Sequence, residues 1–282
     1  YKRQVSHWAD MTLMRRAMLM TRYVLGCALG LVLSATPSSA QLVSPNAQGV
    51  AMGHVHLFAK DVEALRRFLA LLGGLPTQNG PLQMMQFPGA FVNMGQRDMS
   101  AGGTVGSVVN HFGFHVKSVA EVVARVSAAG FKTEQPNPKQ AFVTGPEEIR
   151  VELLEDDALP VPVRMHHIHM QVPSPAEAQA WYVKHFGAVV GKRGNFDMVT
   201  VPGGELTFTP QPMAQAPTQG RSLDHIGFEV TSLDATLARL RGLGITEVDG
   251  PRAGGGGNIK IAYIKDPWGT RIELTEGLSP KP

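Results

Sequence analysis

The stretch whose reading decides the fold is His166-His167-Ile168-His169-Met170-Gln171-Val172. Side chains alternate across a strand, so His167, His169 and Gln171 take one face while Ile168, Met170 and Val172 take the other. Pro173-Ser174-Pro175 ends the strand. Ala178, Trp181, Tyr182 and Phe186 then recur at helical spacing, which predicts a helix over 176–186 packed on the apolar face. The polar face is left to hold something, and imidazole is the commonest metal ligand.

Outward from this stretch the same pattern returns three times. Gly53 to Ala59 leads into an amphipathic run over 62–72 and then Gly73-Gly74. Val109 to Val116 leads into 119–129 and Gly130, and Leu223 to Val230 into 233–243. Short strand-like runs follow, among them 82–87, 90–94, 140–144 and 149–154. Four strand-helix-strands units repeat at about 55 residues, a period read as an array before any other fold. His54 and His111 are 57 positions apart, and His167 and His225 are 58 apart, which predicts pairing of units within each half. The Pro-rich run from Asp156 to Pro162 is the natural linker. The expected division is an N-terminal domain over 41–157, a linker over 158–163 and a C-terminal domain over 164–282.

The first 40 residues read differently. From Met11 come Arg15, Arg16 and Arg22, an apolar run from Tyr23 to Ala35, and Thr36-Pro37-Ser38-Ser39-Ala40, the order of a secretory signal peptide with cleavage expected near Ala40. The apolar run is shorter than the roughly 20 residues that span a bilayer. The expectation is a periplasmic or secreted protein with no stable membrane insertion after cleavage. Lys2, Arg3, Arg15, Arg16 and Arg22 fall in this segment against Asp10. Beyond it the 26 basic and 23 acidic residues become 21 and 22, and the high pI disappears. No electrostatic case for a nucleic-acid partner survives. Cys27, the one cysteine, also lies in the leader, so any metal beyond it must be held by His, Asp or Glu.

The opening His-x-x-x-x-Val, the run Trp181-Tyr182-Val183-Lys184-His185-Phe186-Gly187 and the closing Asp266-Pro267-Trp268-Gly269-Thr270-Arg271-Ile272-Glu273-Leu274 resemble the vicinal oxygen chelate superfamily. That superfamily includes glyoxalase I, extradiol dioxygenases and bleomycin-resistance proteins. The resemblance implies an α+β fold of two tandem domains, each a pair of βαβββ units forming a cupped sheet. Ligands for one divalent ion (Zn, Ni, Fe, Mn or Co) would lie on the opening and closing strands. Carried onto the second half, these are His167, His225 and Glu273, with Glu205 as a fourth ligand because Gly204-Glu205-Leu206-Thr207 aligns with Ile272-Glu273-Leu274-Thr275. The first half offers a weaker set, His54, His111 and Glu152, with Phe91 where Glu205 has its counterpart.

Two histidines and a carboxylate leave coordination positions open for substrate. The resemblance therefore implies a glyoxalase-like lyase or isomerase acting on a small molecule that chelates through vicinal oxygens. Glu205 and Glu273 would be the proton-moving carboxylates, and His169 and Tyr263 would be catalytic partners in the cup. The alternatives are an extradiol-type ring-cleaving dioxygenase and a non-catalytic small-molecule-binding protein. Tyr263, ten positions before Glu273, matches the tyrosine of the extradiol signature, but Gly254 to Gly257 stand where that signature has its histidine. Those glycines are expected to form a mobile lip. A homodimer is the expected assembly if one forms.

Overall fold

The computed structural model describes residues 42–279. The leader expectation therefore falls outside the described residues. Among those described, no helix is long and apolar enough to cross a membrane.

Each of the four units opens with a strand that alternates core and cup residues. The first comprises β1 (Val50–Ala59), α1 (Val62–Leu71), β2 (Leu75–Asn79), β3 (Leu82–Phe87) and β4 (Ala90–Gln96). The second has β5 (Val109–Val116), α2 (Val119–Ala128), β6 (Lys132–Asn137), β7 (Gln140–Thr144) and β8 (Arg150–Glu155). The third has β9 (Val163–Val172), α3 (Pro175–Phe186), β10 (Val189–Arg193), β11 (Phe196–Val201) and β12 (Gly204–Pro210). The last has β13 (Leu223–Val230), α4 (Leu233–Gly242), β14 (Asp249–Gly254), β15 (Ile259–Lys265) and β16 (Arg271–Glu276). Each helix begins where a short polar side chain accepts a hydrogen bond from the first turn: Asp61, Ser118, Ser174 and Ser232. Such caps satisfy amides that have no intrahelical partner.

The units assemble into two eight-stranded sheets, as the resemblance implies, but the pairing differs from the expectation. Sheet I has the order β14-β15-β16-β13-β1-β4-β3-β2 and sheet II the order β10-β11-β12-β9-β5-β8-β7-β6. The first unit thus shares a sheet with the last, through antiparallel β1 and β13, and the two middle units join through β5 and β9. The Pro-rich linker lies within sheet II, joining β8 to β9, and does not separate two sheets. The physical reason is that every unit offers the same opening-strand edge, so length of connection decides which units meet. The segment from β8 to β9 is the shortest inter-unit connection, and short connections favour neighbours in space.

Ile168, Met170 and Val172 are buried as expected, in one core with Val55, Leu57, Phe112, Phe114, Ile226 and Phe228. That core draws on both sheets. The Asp-Pro-Trp-Gly turn serves it as well: Tyr182 on α3 donates to Asp266 Oδ2 at 2.9 Å, and Asp266 Oδ1 accepts from the amides of Trp268 and Thr270.

Candidate metal centres

The cross-half pairing rearranges the expected ligands. His225 lies opposite His56 and Gly227 opposite His54, while Glu273 lies beside Gly227. In sheet II His111 lies opposite His169 and Gly113 opposite His167, with Glu152 beside Gly113. Three groups result among the described residues: His54, His56, His225 and Glu273 in sheet I; His111, His167, His169 and Glu152 in sheet II; and, sharing His167 with the second, His166 and Glu205. The set His167, His225 and Glu273 does not come together, because His167 belongs to the other sheet. The weaker set is divided the same way, His54 going to sheet I and His111 and Glu152 to sheet II. Of the expected catalytic residues, Glu205 and His169 fall in sheet II, and Glu273 and Tyr263 in sheet I.

A glycine makes each arrangement fit. A Cβ on Gly227 would overlap the His54 ring, and one on Gly113 would overlap the His167 ring. Each imidazole therefore lies across the bare Cα of its partner strand. The signal was present in the sequence as His-x-Gly in the second and fourth opening strands, against His-x-His in the first and third.

In sheet I, Glu273 Oε2 lies 2.8 Å from His54 Nε2 and 3.0 Å from His225 Nε2, and Tyr263 donates to Oε1 at 2.8 Å. His225 Nδ1 meets Asp224 Oδ1 at 2.8 Å, and Asp224 also takes Arg97, Arg271 and the Gly220 amide. Burial would lower the His225 pKa, but the Asp224 and Glu273 hydrogen bonds outweigh it, and the net shift is upward. His225 can hold both ring protons and neutralise Glu273 itself. Burial keeps the Tyr263 phenol above its ordinary range, so it remains a donor.

In sheet II, Glu152 Oε2 lies 3.2 Å from His111 Nε2 and 2.9 Å from His167 Nε2. Asn110 stands where sheet I has Asp224. Its Oδ1 is 2.9 Å from His111 Nδ1 and also accepts from Arg150, so His111 donates through Nδ1 and presents a bare Nε2 to a carboxylate. Burial lowers the pKa of His111, and lowers His167 to about 4 and His169 to about 3, so these rings are neutral at pH 7. His167 Nε2 is buried without a hydrogen-bond partner despite its proximity to Glu152. Two bare nitrogens facing one carboxylate are what a cation satisfies. The separations agree with this, since adjacent octahedral ligands about 2.1 Å from an ion lie about 3.0 Å apart. The donor set of sheet II fits a divalent ion.

Glu205 extends this set. It pairs in register with His167, in the position that Phe91 occupies beside His54. Its Oε1 is engaged by Arg193 at 2.8 Å and Thr207 at 3.2 Å, with His166 Nε2 at 3.6 Å. Burial raises its pKa, with Arg193 and Thr207 opposing. Arg193, Thr207, Asn110 and Asp224 were not anticipated. The last two sit immediately before their histidines, which is the one sequence cue they gave.

The cups above the clusters also differ. Over sheet I, Met84, Phe91, Ile259 and Leu278 form a small apolar cluster with Leu42, Leu82 and Ile261 packed against it. The tail that carries Leu278 is strapped down by Glu229, which accepts from the amides of Gly277 and Leu278, and by Asn79, which donates to both carbonyls. A cavity of about 160 Å³ remains, lined by His56, Tyr263, Glu273, Leu278 and, from the expected glycine lip, Gly254 and Gly255. The positions of sheet II that match Leu82, Met84, Phe91 and Ile261 by register hold Phe196, Met198, Glu205 and Gln140. Of these Phe196 is exposed and Met198 and Gln140 are half-buried.

Cupped sheets of paired βαβββ units with histidines and a glutamate on their central strands are the arrangement that the resemblance to the vicinal oxygen chelate superfamily implies. Residues 164–274 match the family model of the Glyoxalase/Bleomycin resistance protein/Dioxygenase superfamily. Glyoxalase I from Zea mays is similar in fold, with a TM-score of 0.65 at 16% identity over 81% of this chain and 92% of that one. A dioxygenase-like protein from Bacillus subtilis subsp. subtilis str. 168 gives 0.61 at 12% identity over 86% of this chain and 87% of that one. No curated protein matches the chain.

Proposed function

We propose that the protein is an exported, divalent-metal-dependent lyase or isomerase of the glyoxalase kind, with its working centre in sheet II, acting on a small molecule that chelates through vicinal oxygens. The observation that carries this reading is the cluster of His111, Glu152, His167 and His169, with Glu205 grouped with His167 on its other side, beneath a partly exposed cup. Bound there, a divalent ion supplies Lewis acidity toward the oxygens of a chelating substrate. His111 and His167 present neutral nitrogens, and Glu152 balances the charge. Arg193 and Thr207 brace Glu205 Oε1. Its raised pKa suits a carboxylate that takes a proton from the substrate carbon and returns it. His169, neutral and 2.6 Å from Thr209 Oγ1, stands as a hydrogen-bond partner in the same cup. With His111, Glu152, His167 and Glu205 as ligands, an octahedral ion would have two positions left, enough for a chelate but not for O₂ as well.

A Glu205→Gln variant is expected to keep the ion and lose turnover of an α-hydroxycarbonyl substrate; full turnover in that variant refutes the role. Export is tested by the mass of the mature N-terminus, which is expected near residue 41.

One observation favours the dioxygenase reading, and it lies in sheet I. Phe91 in place of a fourth ligand leaves His54, His225 and Glu273 as a facial triad with His56 and Tyr263 alongside. Catechol-dependent O₂ uptake that Glu273→Gln abolishes would establish it.

A further inference from the structure

His166 lies just outside the proposed ligand set and is bound to it on two sides. Its Nδ1 is 2.9 Å from Nδ1 of His167. Its Nε2 is 3.6 Å from Glu205 Oε1. Its ring stacks on His115, with centroids 3.8 Å apart and planes at 20°.

Two ring nitrogens 2.9 Å apart share one proton, and only two placements exist. If His166 donates, His167 must carry its own proton on Nε2. That atom is wholly buried, and Glu152 Oε2, 2.9 Å away, is out of line with the ring N–H, so the proton would point at no acceptor and would occupy the lone pair that an ion needs. If His167 donates instead, its Nε2 is a bare lone pair aimed at the centre. His166 then carries its proton on Nε2, facing the Glu205 carboxylate. The second placement buries no unpaired proton and leaves the His167 lone pair facing Glu152, where a cation would sit.

We propose that His166 is a positioning residue of the sheet II centre: its Nδ1 accepts from His167, fixing the tautomer that turns His167 Nε2 toward the ion, while its other edge faces Glu205. The proposal rests on the reading of sheet II as the seat of the ion. Outer partners of this kind orient a ligating imidazole and raise its donor strength. His54, the sheet I counterpart of His167, has no such partner. Gly53 precedes His54, and a Cβ there would sit 2.9 Å from the Glu229 amide nitrogen and 3.2 Å from the Gly227 carbonyl oxygen. His54 Nδ1 accordingly has no partner.

Two variants separate the hydrogen bond from the packing. His166→Phe keeps a ring against His115 and removes the acceptor, whereas His166→Gln restores an acceptor and removes the ring. In the metal-free protein, long-range proton–nitrogen correlation spectra are expected to show His167 protonated on Nδ1 in the parent and the Gln variant, and on Nε2 in the Phe variant. Cobalt affinity, measured by chelator competition, is expected to fall about 10- to 100-fold in the Phe variant, with most of it recovered in the Gln variant. An unchanged His167 tautomer in the Phe variant overturns the proposal, as does unchanged cobalt affinity. A parent protein that binds no cobalt sinks the reading of sheet II, and the tautomer spectra still decide whether His166 sets His167.

Discussion

Sheets I and II are made from the same unit, yet they solve one electrostatic problem in two ways. Each has a buried glutamate facing two imidazole nitrogens. In sheet I burial lowers the His225 pKa, but the hydrogen bonds to Asp224 and Glu273 outweigh it, and the net upward shift favours a protonated ring against Glu273. In sheet II an asparagine stands behind His111, the imidazoles stay neutral, and the charge of Glu152 is left to be met by a cation. The cups follow the same division: largely apolar and crossed by the tail above the sheet I cluster, and more polar, through Glu205 and Gln140, and partly exposed above the other. One residue immediately before each histidine, together with Glu205 or Phe91, separates a closed cluster from a candidate working centre.

The largest effect expected from this comparison is on bound metal. His111→Ala should remove most of the ion from the purified protein, and His225→Ala should leave it in place; the reverse result, read by elemental analysis, would exchange the roles of the sheets.

Exchanging Asp224 and Asn110 should come next. Asn110→Asp places a carboxylate behind His111 and is expected to tighten binding of the sheet II ion about 10- to 100-fold. Asp224→Asn should drop the His225 pKa. Nuclear magnetic resonance titration of His225 checks the second, and chelator competition the first.

Acid should then separate the sheets in the metal-free protein. His111, His166, His167 and His169 all have lowered pKa values, chiefly through burial. Below about pH 6.5 the unfolded chain takes up protons that these folded rings refuse, so their contribution to stability falls as pH drops toward the folded value of about 4 for His167. Sheet I has two lowered rings, His54 and His56, and one raised. The raised His225 contributes stability that is full below its unfolded value and lost as pH rises through its folded one. Amide hydrogen exchange at acid pH is therefore expected to open β5 and β9 before β1 and β13. Equal protection would break the distinction.

The smallest effect concerns the contact that joins α3 to the turn before β16. Tyr182→Phe leaves a buried Asp266 oxygen without its phenol donor, at a cost of about 1–3 kcal/mol. Thermal unfolding should show it without loss of metal.

The repeat, the four helices and the back-to-back alternation of β9 were legible because apolar period and capping residues are local. The alignment of Gly204-Glu205-Leu206-Thr207 with Ile272-Glu273-Leu274-Thr275 put Glu205 on the right strand but two positions out of register: Glu205 lies beside His167, whereas Glu273 lies beside Gly227, so Thr207 is the counterpart of Glu273. What could not be read was which copies share a sheet. Identical units present identical edges, so His54 and His167 are equally good partners for His225 until the short connection from Glu155 to Val163 is seen to hold the middle units together. The proline run had two meanings, spacer or tight connector, and composition does not distinguish them. The electrostatic difference between Asp224 and Asn110 was likewise invisible, because it acts only once His225 and His111 are buried against a glutamate.

The account stands most directly on where turnover occurs. Glu152→Gln and Glu273→Gln should be compared with the metal-loaded parent in the isomerisation of an α-hydroxycarbonyl compound. The account predicts that the Glu152 variant falls by two orders of magnitude or more, on the order of what loss of an electrostatic stabiliser costs, while the Glu273 variant keeps most of the parent rate. Loss of turnover in the Glu273 variant with retention in the Glu152 variant would contradict it.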